Sequence, residues 1–240
     1  MNSNSSLTGK QAVVTGGSRG IGKAITEALA NAGASVAICG RTTSDITATV
    51  AELNPRIRGN VIGKAVDLRS SSEVAEFFQF VDTAFGGLDI LVNNAGVGIF
   101  RSVRDLTNED WHTTLGTNLD GVFYCCHEAL PRMIGRGGGS IINISSLAGK
   151  NPFAGGAAYN ASKFALNGFS EALMLDHRND NIRVSCVMPG SVDTGFSPRS
   201  ERASWKIAPE DVAQVVMDVL AMPERTLISR VEMRPSKPMK

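Results

Sequence analysis

The sequence predicts a single doubly wound α/β domain, in which helices cover both faces of a parallel sheet of about seven strands. Short apolar runs alternate with helical segments along the 240 residues, and this alternation is typical of parallel strands joined by right-handed crossovers. The apolar runs lack the two-residue alternation of half-exposed strands, as expected when both faces are covered. No repeat or linker interrupts the pattern, so residues 1–240 are expected to form one domain.

The first half of the chain predicts four strands and three helices. Short apolar runs place the strands at 11–15, 35–39, 61–66 and 88–92. Apolar residues at helical spacing place the helices at 21–32, 44–53 and 72–85. Gly33 is expected to end the first helix and Pro55 the second. Ser70 or one of its two neighbouring serines is expected to cap the third helix.

The second half repeats the pattern with longer helices. Strands are predicted at 140–144, 182–187 and 227–232. A helical segment covers 108–134 and is expected to break around Gly116 and Asn118. A long helix is predicted from near Tyr159 to His177, and a last helix at 209–221 carries Pro209 in its first turn, where proline is tolerated.

Composition argues against several classes of protein. Lys and Arg number 24 and Asp and Glu 23, so the net charge of +1 argues against nucleic acid as the main partner. The four cysteines and three histidines show no metal-ligand spacing, and a reduced, cytoplasmic chain is expected. The sequence shows neither a signal peptide nor a run of 18 apolar residues, so we expect no membrane association.

A glycine-rich loop follows the first predicted strand and opens the first helix. Gly16, Gly20 and Gly22 are spaced G-x-x-x-G-x-G. Glycine allows the tight turn and lets the backbone approach a pyrophosphate. The free N–H groups at the start of the helix attract phosphate. The loop therefore predicts a dinucleotide site at the carboxyl ends of the strands.

Further motifs occur in an order that identifies a family. Residues 93–96 read N-N-A-G, Asn118 lies in T-N-L, Ser146 ends N-I-S-S, Tyr159 and Lys163 form Y-x-x-x-K, and 189–194 read P-G-S-V-D-T. With the glycine loop, they resemble the classical short-chain dehydrogenase/reductase family over residues 8 to about 220. The resemblance implies a Rossmann-type fold and hydride transfer between a nicotinamide and a carbonyl or alcohol.

The resemblance implies a catalytic tetrad of Asn118, Ser146, Tyr159 and Lys163. Tyr159 and Lys163 are four residues apart and therefore share one face of a helix. The lysine ammonium is expected to lower the tyrosine pKa, so that Tyr159 can pass a proton to a carbonyl oxygen. Ser146 would hold that oxygen. Asn118 would anchor a water linking Lys163 to solvent, or bond to the backbone at a helix kink.

The expected cofactor is NADP(H). The second strand ends without the carboxylate that binds the ribose 2′-hydroxyl of NAD, and Arg19 and Arg41 are expected to bind a 2′-phosphate instead. Asp67 would accept a hydrogen bond from the adenine amino group, or cap the following helix. The predicted cofactor-binding residues are Gly16, Ser18, Arg19, Gly20, Ile21, Gly22, Arg41, Asp67, Leu68, Asn94, Ala95, Gly96, Tyr159, Lys163, Pro189, Gly190, Val192 and Thr194.

The substrate is expected to be a hydrophobic ketone or aldehyde. Residues 191–208 are predicted to form a lid that carries Phe196 and Trp205. The pocket is expected to be lined by Val97, Phe100, Leu147 and Phe153. The C-terminal S-R-V-E-M-R-P-S-K-P departs from the 3-oxoacyl-carrier-protein reductases, which makes that activity the second choice.

Other possibilities remain open. A dehydratase or epimerase could use the same tyrosine, and a regulatory protein could bind NADP without turnover, although an intact tetrad argues against the latter. The resemblance also implies a homodimer or homotetramer, formed through helices 108–134 and 159–177. The apolar residues expected at that interface are Val122, Phe123, Ala129 and Leu130.

Overall fold

In the computed structural model, which describes residues 6–196 and 203–238, seven parallel strands form one sheet in the order β3-β2-β1-β4-β5-β6-β7. The strands are β1 (Gln11–Thr15), β2 (Ser35–Gly40), β3 (Asn60–Ala65), β4 (Ile90–Asn93), β5 (Gly139–Ile144), β6 (Ile182–Pro189) and β7 (Arg230–Met233). The helices are α1 (Gly20–Asn31), α2 (Thr43–Leu53), α3 (Ser71–Phe85), α4 (Asn108–Leu115), α5 (Gly121–Gly135), α6 (Ala157–His177) and α7 (Pro209–Leu220). The predicted doubly wound α/β domain is confirmed.

The strand order reverses between β1 and β4, which are neighbours in the sheet. In open α/β sheets this switch point creates a crevice at the carboxyl ends of the strands. The loops after β1, β4, β5 and β6 therefore meet at one edge of the sheet. The predicted glycine loop, N-N-A-G, Ser146 and P-G motifs are these loops, so the topology brings them together.

Two hydrophobic cores cover the two faces of the sheet. One contains Ile25 and Leu29 of α1 and Val216 of α7. The other contains Phe77 and Phe78 of α3, together with apolar residues of α5 and α6. Burial on both faces explains why the strands are continuously apolar.

The predicted subunit interface is wrong in part. Val122 and Ala129 of α5 belong to the second core and are 4% and 0% exposed. They are seven residues apart and therefore lie on the same side of the helix as Cys126, facing the sheet. Phe123 points away from the core and is 49% exposed, and Leu130 packs at the core's edge.

Most predicted boundaries hold within two residues, and the exceptions have physical reasons. β7 begins at Arg230 rather than 227, because Arg230 is the first residue in register with β6, opposite Cys186. Ser70 caps α3 by accepting a hydrogen bond from the Glu73 N–H at 3.2 Å. Asp67 does not cap that helix, so the alternative role considered for it is wrong.

The predicted interruption between α4 and α5 is a π-helical turn at Gly116–Asp120. Such single π-helical turns are rare and frequently occur at functional sites. All four cysteines are free and buried. No helix of the described residues is long and apolar enough to cross a membrane, and no group of potential metal ligands is found among them.

Candidate active site

A large cavity of about 930 Å³ opens at the carboxyl ends of the strands. Its volume is at the upper end of the range for ligand pockets. Of the predicted site residues, the following line it: Gly16, Ser18, Arg19, Gly20, Ile21, Arg41, Asp67, Leu68, Asn94, Ala95, Gly96, Ser146, Tyr159, Lys163, Pro189, Gly190, Val192 and Thr194. Gly22 and Asn118 lie behind the wall and support it.

The glycine loop is shaped by close contacts that exclude side chains. Gly16 has φ +65°, and a Cβ there would lie 3.0 Å from the Ala95 Cα. Gly20 has φ +53°, and its Cβ would lie 3.2 Å from Thr194. A Cβ at Gly22 would collide with the carbonyl oxygen of Gly16. The loop thus needs glycine at all three positions.

Asn94 ties the glycine loop to the end of β4. Its Nδ2 donates to the carbonyl oxygen of Thr15 at 2.9 Å and to that of Gly16 at 3.2 Å. The Thr15 Oγ1 accepts from the backbone N–H groups of Asn94 and Ala95, both at 3.0 Å. These bonds fix the backbone on the cavity side of the switch point.

Two exposed arginines lie at the end of the cavity formed by β2 and β3. Arg19 in the glycine loop and Arg41 after β2 both line it. Neither makes an ion pair within residues 6–196 and 203–238. Asp45, in the first turn of α2, also lines this end. Its place in the cavity wall was not anticipated from the sequence.

Asp67 is held by an arginine that the sequence analysis did not single out. Its carboxylate accepts from Arg69 through Nε at 3.0 Å, Nη2 at 2.6 Å and the backbone N–H at 3.0 Å. The hydrogen bond from the Arg69 side chain is the main reason why the pKa of Asp67 is lowered. The Arg69 Nε lies 3.0 Å from each of the two carboxylate oxygens, and the Asp67 side chain remains 30% exposed.

Ser146, Tyr159 and Lys163 meet at the opposite end of the cavity, as the spacing predicts. Lys163 is 4% exposed. Its Nζ donates to the carbonyl oxygen of Ile144 at 3.0 Å and lies 5.8 Å from the centre of the Tyr159 ring. The Ser146 Oγ accepts from the Ala148 N–H at 3.1 Å and also contacts the Tyr159 hydroxyl.

The expected lowering of the Tyr159 pKa is not found in this chain alone. Burial raises the pKa of Tyr159, and the hydrogen bond with Ser146 offsets only part of that effect. Burial also lowers the pKa of Lys163 from 10.5 to about 8. Desolvation disfavours the charged form of each group, so the protein keeps the phenol protonated at neutral pH.

Asn118 lies in the π-helical turn and is fully buried. Its Oδ1 accepts from the Val97 N–H at 2.8 Å, and its Nδ2 donates to the Val97 carbonyl oxygen and the Ser162 Oγ at 2.9 and 3.0 Å. Both N–H groups of the amide are used. The Ser162 Oγ donates in turn to the Tyr159 carbonyl oxygen at 2.7 Å, so Asn118 braces the helix that carries the tyrosine.

Aromatic side chains surround Tyr159. The ring centres of Phe100, Phe196 and Phe153 lie 5.5, 5.9 and 6.5 Å from that of Tyr159. Phe153 is held in place because its carbonyl oxygen accepts from the Asn160 Nδ2 at 3.1 Å. The cavity is therefore apolar around its tyrosine.

The predicted lid is described only at its two ends, because residues 197–202 lie outside the described part of the chain. Val192 pairs with Ile207, and the Asp193 N–H donates to the Ile207 carbonyl oxygen at 2.9 Å. Phe196 and Trp205 both line the cavity, as expected. The C-terminal residues Arg234, Pro235 and Pro238 also line it, and no sequence motif pointed to them.

Comparison with known proteins decides the family. The family model for short chain dehydrogenases matches residues 10–204. An uncharacterized oxidoreductase of Staphylococcus saprophyticus is 33% identical over 230 residues, which cover 95% of this chain and 98% of that protein. The chain belongs to the short-chain dehydrogenase family. It is an oxidoreductase, and its single α/β domain is the one expected for this family.

Three solved structures are similar to this chain over nearly their whole length. A metagenomic short-chain oxidoreductase in complex with NADP is 38% identical, with a TM-score of 0.86 and coverage of 97% of this chain and 99% of that one. An alcohol dehydrogenase from the archaeon Thermococcus sibiricus, complexed with 5-hydroxy-NADP, is 28% identical, with a TM-score of 0.88 and coverage of 96% and 99%. L-Sorbose reductase from Gluconobacter frateurii, complexed with NADPH and L-sorbose, is 27% identical, with a TM-score of 0.89 and coverage of 97% and 98%.

Proposed function

We propose that this short-chain dehydrogenase is an NADP(H)-dependent reductase of apolar ketones or aldehydes, which it interconverts with the corresponding alcohols. The main support for this proposal is a single cavity that has Arg19 and Arg41 at one end and the trio of Ser146, Tyr159 and Lys163 at the other. The first end suits a ribose phosphate. The second suits proton transfer to a carbonyl oxygen.

The residues present fit an NADP molecule. The glycine loop offers a cradle that any Cβ would fill, at the start of a helix whose free N–H groups attract phosphate. Arg41 offers a planar fork of donors to a 2′-phosphate, and the Asp67 carboxylate lines the cavity with 30% of its side chain exposed, where it would meet the adenine amino group. The three similar structures contain NADP, 5-hydroxy-NADP or NADPH, which supports this assignment.

The catalytic roles follow from the geometry. When bound, the nicotinamide supplies or receives the hydride. Ser146 donates a hydrogen bond to the substrate oxygen and holds it near the Tyr159 hydroxyl. Tyr159 gives its proton to that oxygen in reduction and accepts it in oxidation. Lys163 supplies positive charge beneath the ring, which stabilises the phenolate left behind.

The substrate preference rests on the aromatic side chains around Tyr159. Phe100, Phe153 and Phe196 are each between 37% and 45% exposed and present ring surface to the cavity. Burial of apolar surface favours a hydrophobic substrate there. L-Sorbose reductase, a similar protein, binds a polar sugar, so the family fold does not by itself decide this preference.

The decisive experiment is a panel of carbonyl compounds assayed with NADPH and with NADH. We expect turnover of hydrophobic ketones or aldehydes and a kcat/KM at least tenfold higher with NADPH. Equal or better kcat/KM with NADH would remove the NADP assignment. Turnover limited to 3-oxoacyl thioesters would favour the 3-oxoacyl-carrier-protein reductase instead. Tight NADPH binding without turnover would favour a regulatory protein.

We also propose that residues 191–208 act as the substrate lid and that the protein forms homodimers or homotetramers. Phe123 of α5 and Phe164 of α6 are 49% and 46% exposed. They leave apolar surface on the two helices that the family resemblance implicates in assembly. Light scattering at micromolar concentration tests the assembly, and a strictly monomeric species would contradict it.

A further inference from the structure

Arg234 lines the cavity, although it is distant in sequence from the predicted site residues. The Gly190 N–H donates to the Met233 carbonyl oxygen at 2.9 Å. A Cβ at Gly190 would lie 3.1 Å from the Leu147 side chain and 3.4 Å from Pro235. Leu147 directly follows the catalytic Ser146, so the residues after β7 form the wall beside that serine.

Glu232 connects Arg234 to the loop after β5. Its carboxylate lies 2.6 Å from the Lys150 Nζ and 3.0 Å from the Arg234 Nη2. The hydrogen bond from Lys150 is the main cause that lowers the pKa of Glu232, so the carboxylate is charged. One negative charge shared by two cations leaves this trio with a net charge of +1. The Arg234 guanidinium keeps donors that Glu232 does not use.

Charge is unevenly distributed along the cavity. Its acidic lining residues within 6–196 and 203–238 are Asp45 and Asp67, and both lie at the end formed by β2 and β3. Apart from Arg19 and Arg41, the other charged residues that line the described part of the cavity are Lys163, Lys206 and Arg234. A cavity lined by charges of one sign concentrates ligands of the opposite sign. The catalytic end therefore favours an anionic substrate group.

We propose that Arg234 binds the carboxylate of the substrate and that the substrate is an aryl or alkyl oxo acid with an apolar body. This rests on the proposed reductase function and specifies its substrate class. The apolar body would pack against Phe100, Phe153 and Phe196, while the carbonyl meets Tyr159. The planar fork of arginine matches the two oxygens of a carboxylate.

The test compares 4-acetylbenzoate with its neutral methyl ester as substrates, using NADPH. Wild-type protein is compared with Arg234→Ala, Arg234→Lys and Arg230→Ala. Arg230 is the matched control, because it begins the strand that Arg234 directly follows, pairs with Glu171 at 3.3 Å and does not line the cavity. We expect the ratio of kcat/KM for acid over ester to fall about tenfold in Arg234→Ala. The lysine variant should retain part of the ratio and the control all of it.

An unchanged ratio in Arg234→Ala would overturn the proposal, as would a wild-type preference for the ester. Failure of the reductase function itself has a different signature, in which neither compound is reduced by any variant. In that case, calorimetry is used to compare how tightly the acid and the ester bind to the NADPH-bound protein. This comparison does not depend on turnover. Weaker binding of the acid alone in Arg234→Ala supports the carboxylate site, and equal binding overturns it.

Discussion

At the scale of single residues, burial of Tyr159 favours one direction of the proposed proton transfer. Its pKa is raised above the usual value by desolvation, so the hydroxyl keeps its proton at neutral pH. A protonated phenol is ready to donate when a carbonyl is reduced. Oxidation of the alcohol needs the phenolate instead, which burial disfavours.

Replacement of Tyr159 by Phe keeps the ring and removes the proton. We expect kcat for carbonyl reduction to fall at least 10²-fold, the low end for general acid–base catalysis. NADPH affinity, measured by fluorescence titration, should remain nearly unchanged because the aromatic packing with Phe100 and Phe196 is kept. Retained activity would exclude Tyr159 as the proton donor.

The two directions of the reaction should depend on pH in opposite ways. Because the pKa of Tyr159 is raised, kcat/KM for carbonyl reduction should stay level from about pH 6 to 8 and fall only in strongly alkaline solution. Alcohol oxidation should accelerate as the pH rises, since the phenolate becomes more populated. Initial rates in both directions across this range provide the measurement, and parallel profiles would contradict the role of Tyr159.

The buried charge of Lys163 is expected to lower the free energy of unfolding. Its pKa is about 8 in the folded chain against 10.5 in the reference state. Between these values the unfolded chain binds more protons, so stability rises with pH there, and below pH 8 the full penalty applies. Lys163→Met should therefore raise the free energy of unfolding of the cofactor-free protein at pH 7 by up to roughly 3 kcal/mol.

Urea unfolding at pH 7 and pH 10 measures this effect. The advantage of Lys163→Met should shrink at the higher pH, where the wild-type lysine is neutral when folded. Lys64→Met is the control, because the Lys64 side chain is 40% exposed and its ion pair with Glu76 lies at the surface. The Lys163→Met variant should also lose activity and NADPH affinity, because the family resemblance implies that Lys163 holds the nicotinamide ribose. A loss of stability that is equal at both pH values would argue against a buried charge.

At the scale of elements, we expect the end of β2 to determine which nicotinamide cofactor is preferred. Nothing near Gly40 would block a side chain, because the nearest atom to its Cβ would be the Ser18 Oγ at 3.8 Å. Gly40→Asp should shift the preference toward NADH, since the new carboxylate repels a 2′-phosphate. Arg41→Ala should weaken the binding of NADPH by roughly 10- to 150-fold, and the binding of NADH should remain almost unaffected.

Steady-state KM values for both cofactors test these changes. Arg58→Ala is a suitable control, because Arg58 is exposed and does not line the cavity. If Arg41→Ala raised the KM for NADPH and the KM for NADH by the same factor, Arg41 would not be part of the 2′-phosphate site.

The π-helical turn is the second element on which the site depends. Asn118→Ala would remove three hydrogen bonds and leave the partly buried Val97 N–H without its partner. We expect a loss of about 3 kcal/mol in the free energy of unfolding, together with a lower kcat because α6 loses its brace at Ser162. Unchanged stability with reduced kcat would show that Asn118 acts on the reaction directly.

For the whole molecule, Asp89 connects three elements at the end of the sheet away from the cavity. Its carboxylate accepts from the Gln11 N–H at 2.9 Å and pairs with Lys10 and Arg136, both at 3.2 Å. Asp89 is 7% exposed, so its charge-assisted bonds are shielded from solvent. Asp89→Asn should lower the free energy of unfolding by about 2 kcal/mol.

The Asp89→Asn variant should be less stable than the wild type but equally active. At 25 °C the kcat of the variant should equal that of the wild type, because the residue lies at the opposite ends of the strands from Ser146 and Tyr159. Urea unfolding monitored by circular dichroism gives the stability. A loss of kcat without a loss of stability would contradict a purely structural role.

The sequence by itself determined the order of the elements and most of the cavity wall. Apolar runs placed the strands, and the strand–helix alternation fixed parallel pairing with both faces buried. Two of the motifs are local, since each spans fewer than eight residues: the glycines at 16, 20 and 22, and the pair Tyr159 and Lys163. Such motifs can be recognised without knowing which distant residues pack against them. The predicted break at 116–118 is likewise local and occurs as the π-helical turn.

Only the tertiary structure decided properties that depend on residues far apart in sequence. The orientation of Val122 toward the sheet, the upward direction of the Tyr159 pKa and the place of Arg234 beside Ser146 belong to this group. Each depends on how much water and which charges remain around a group after packing. Periodicity and motif spacing carry no such information, because burial and local charge are set by neighbours that the chain brings together only when it folds.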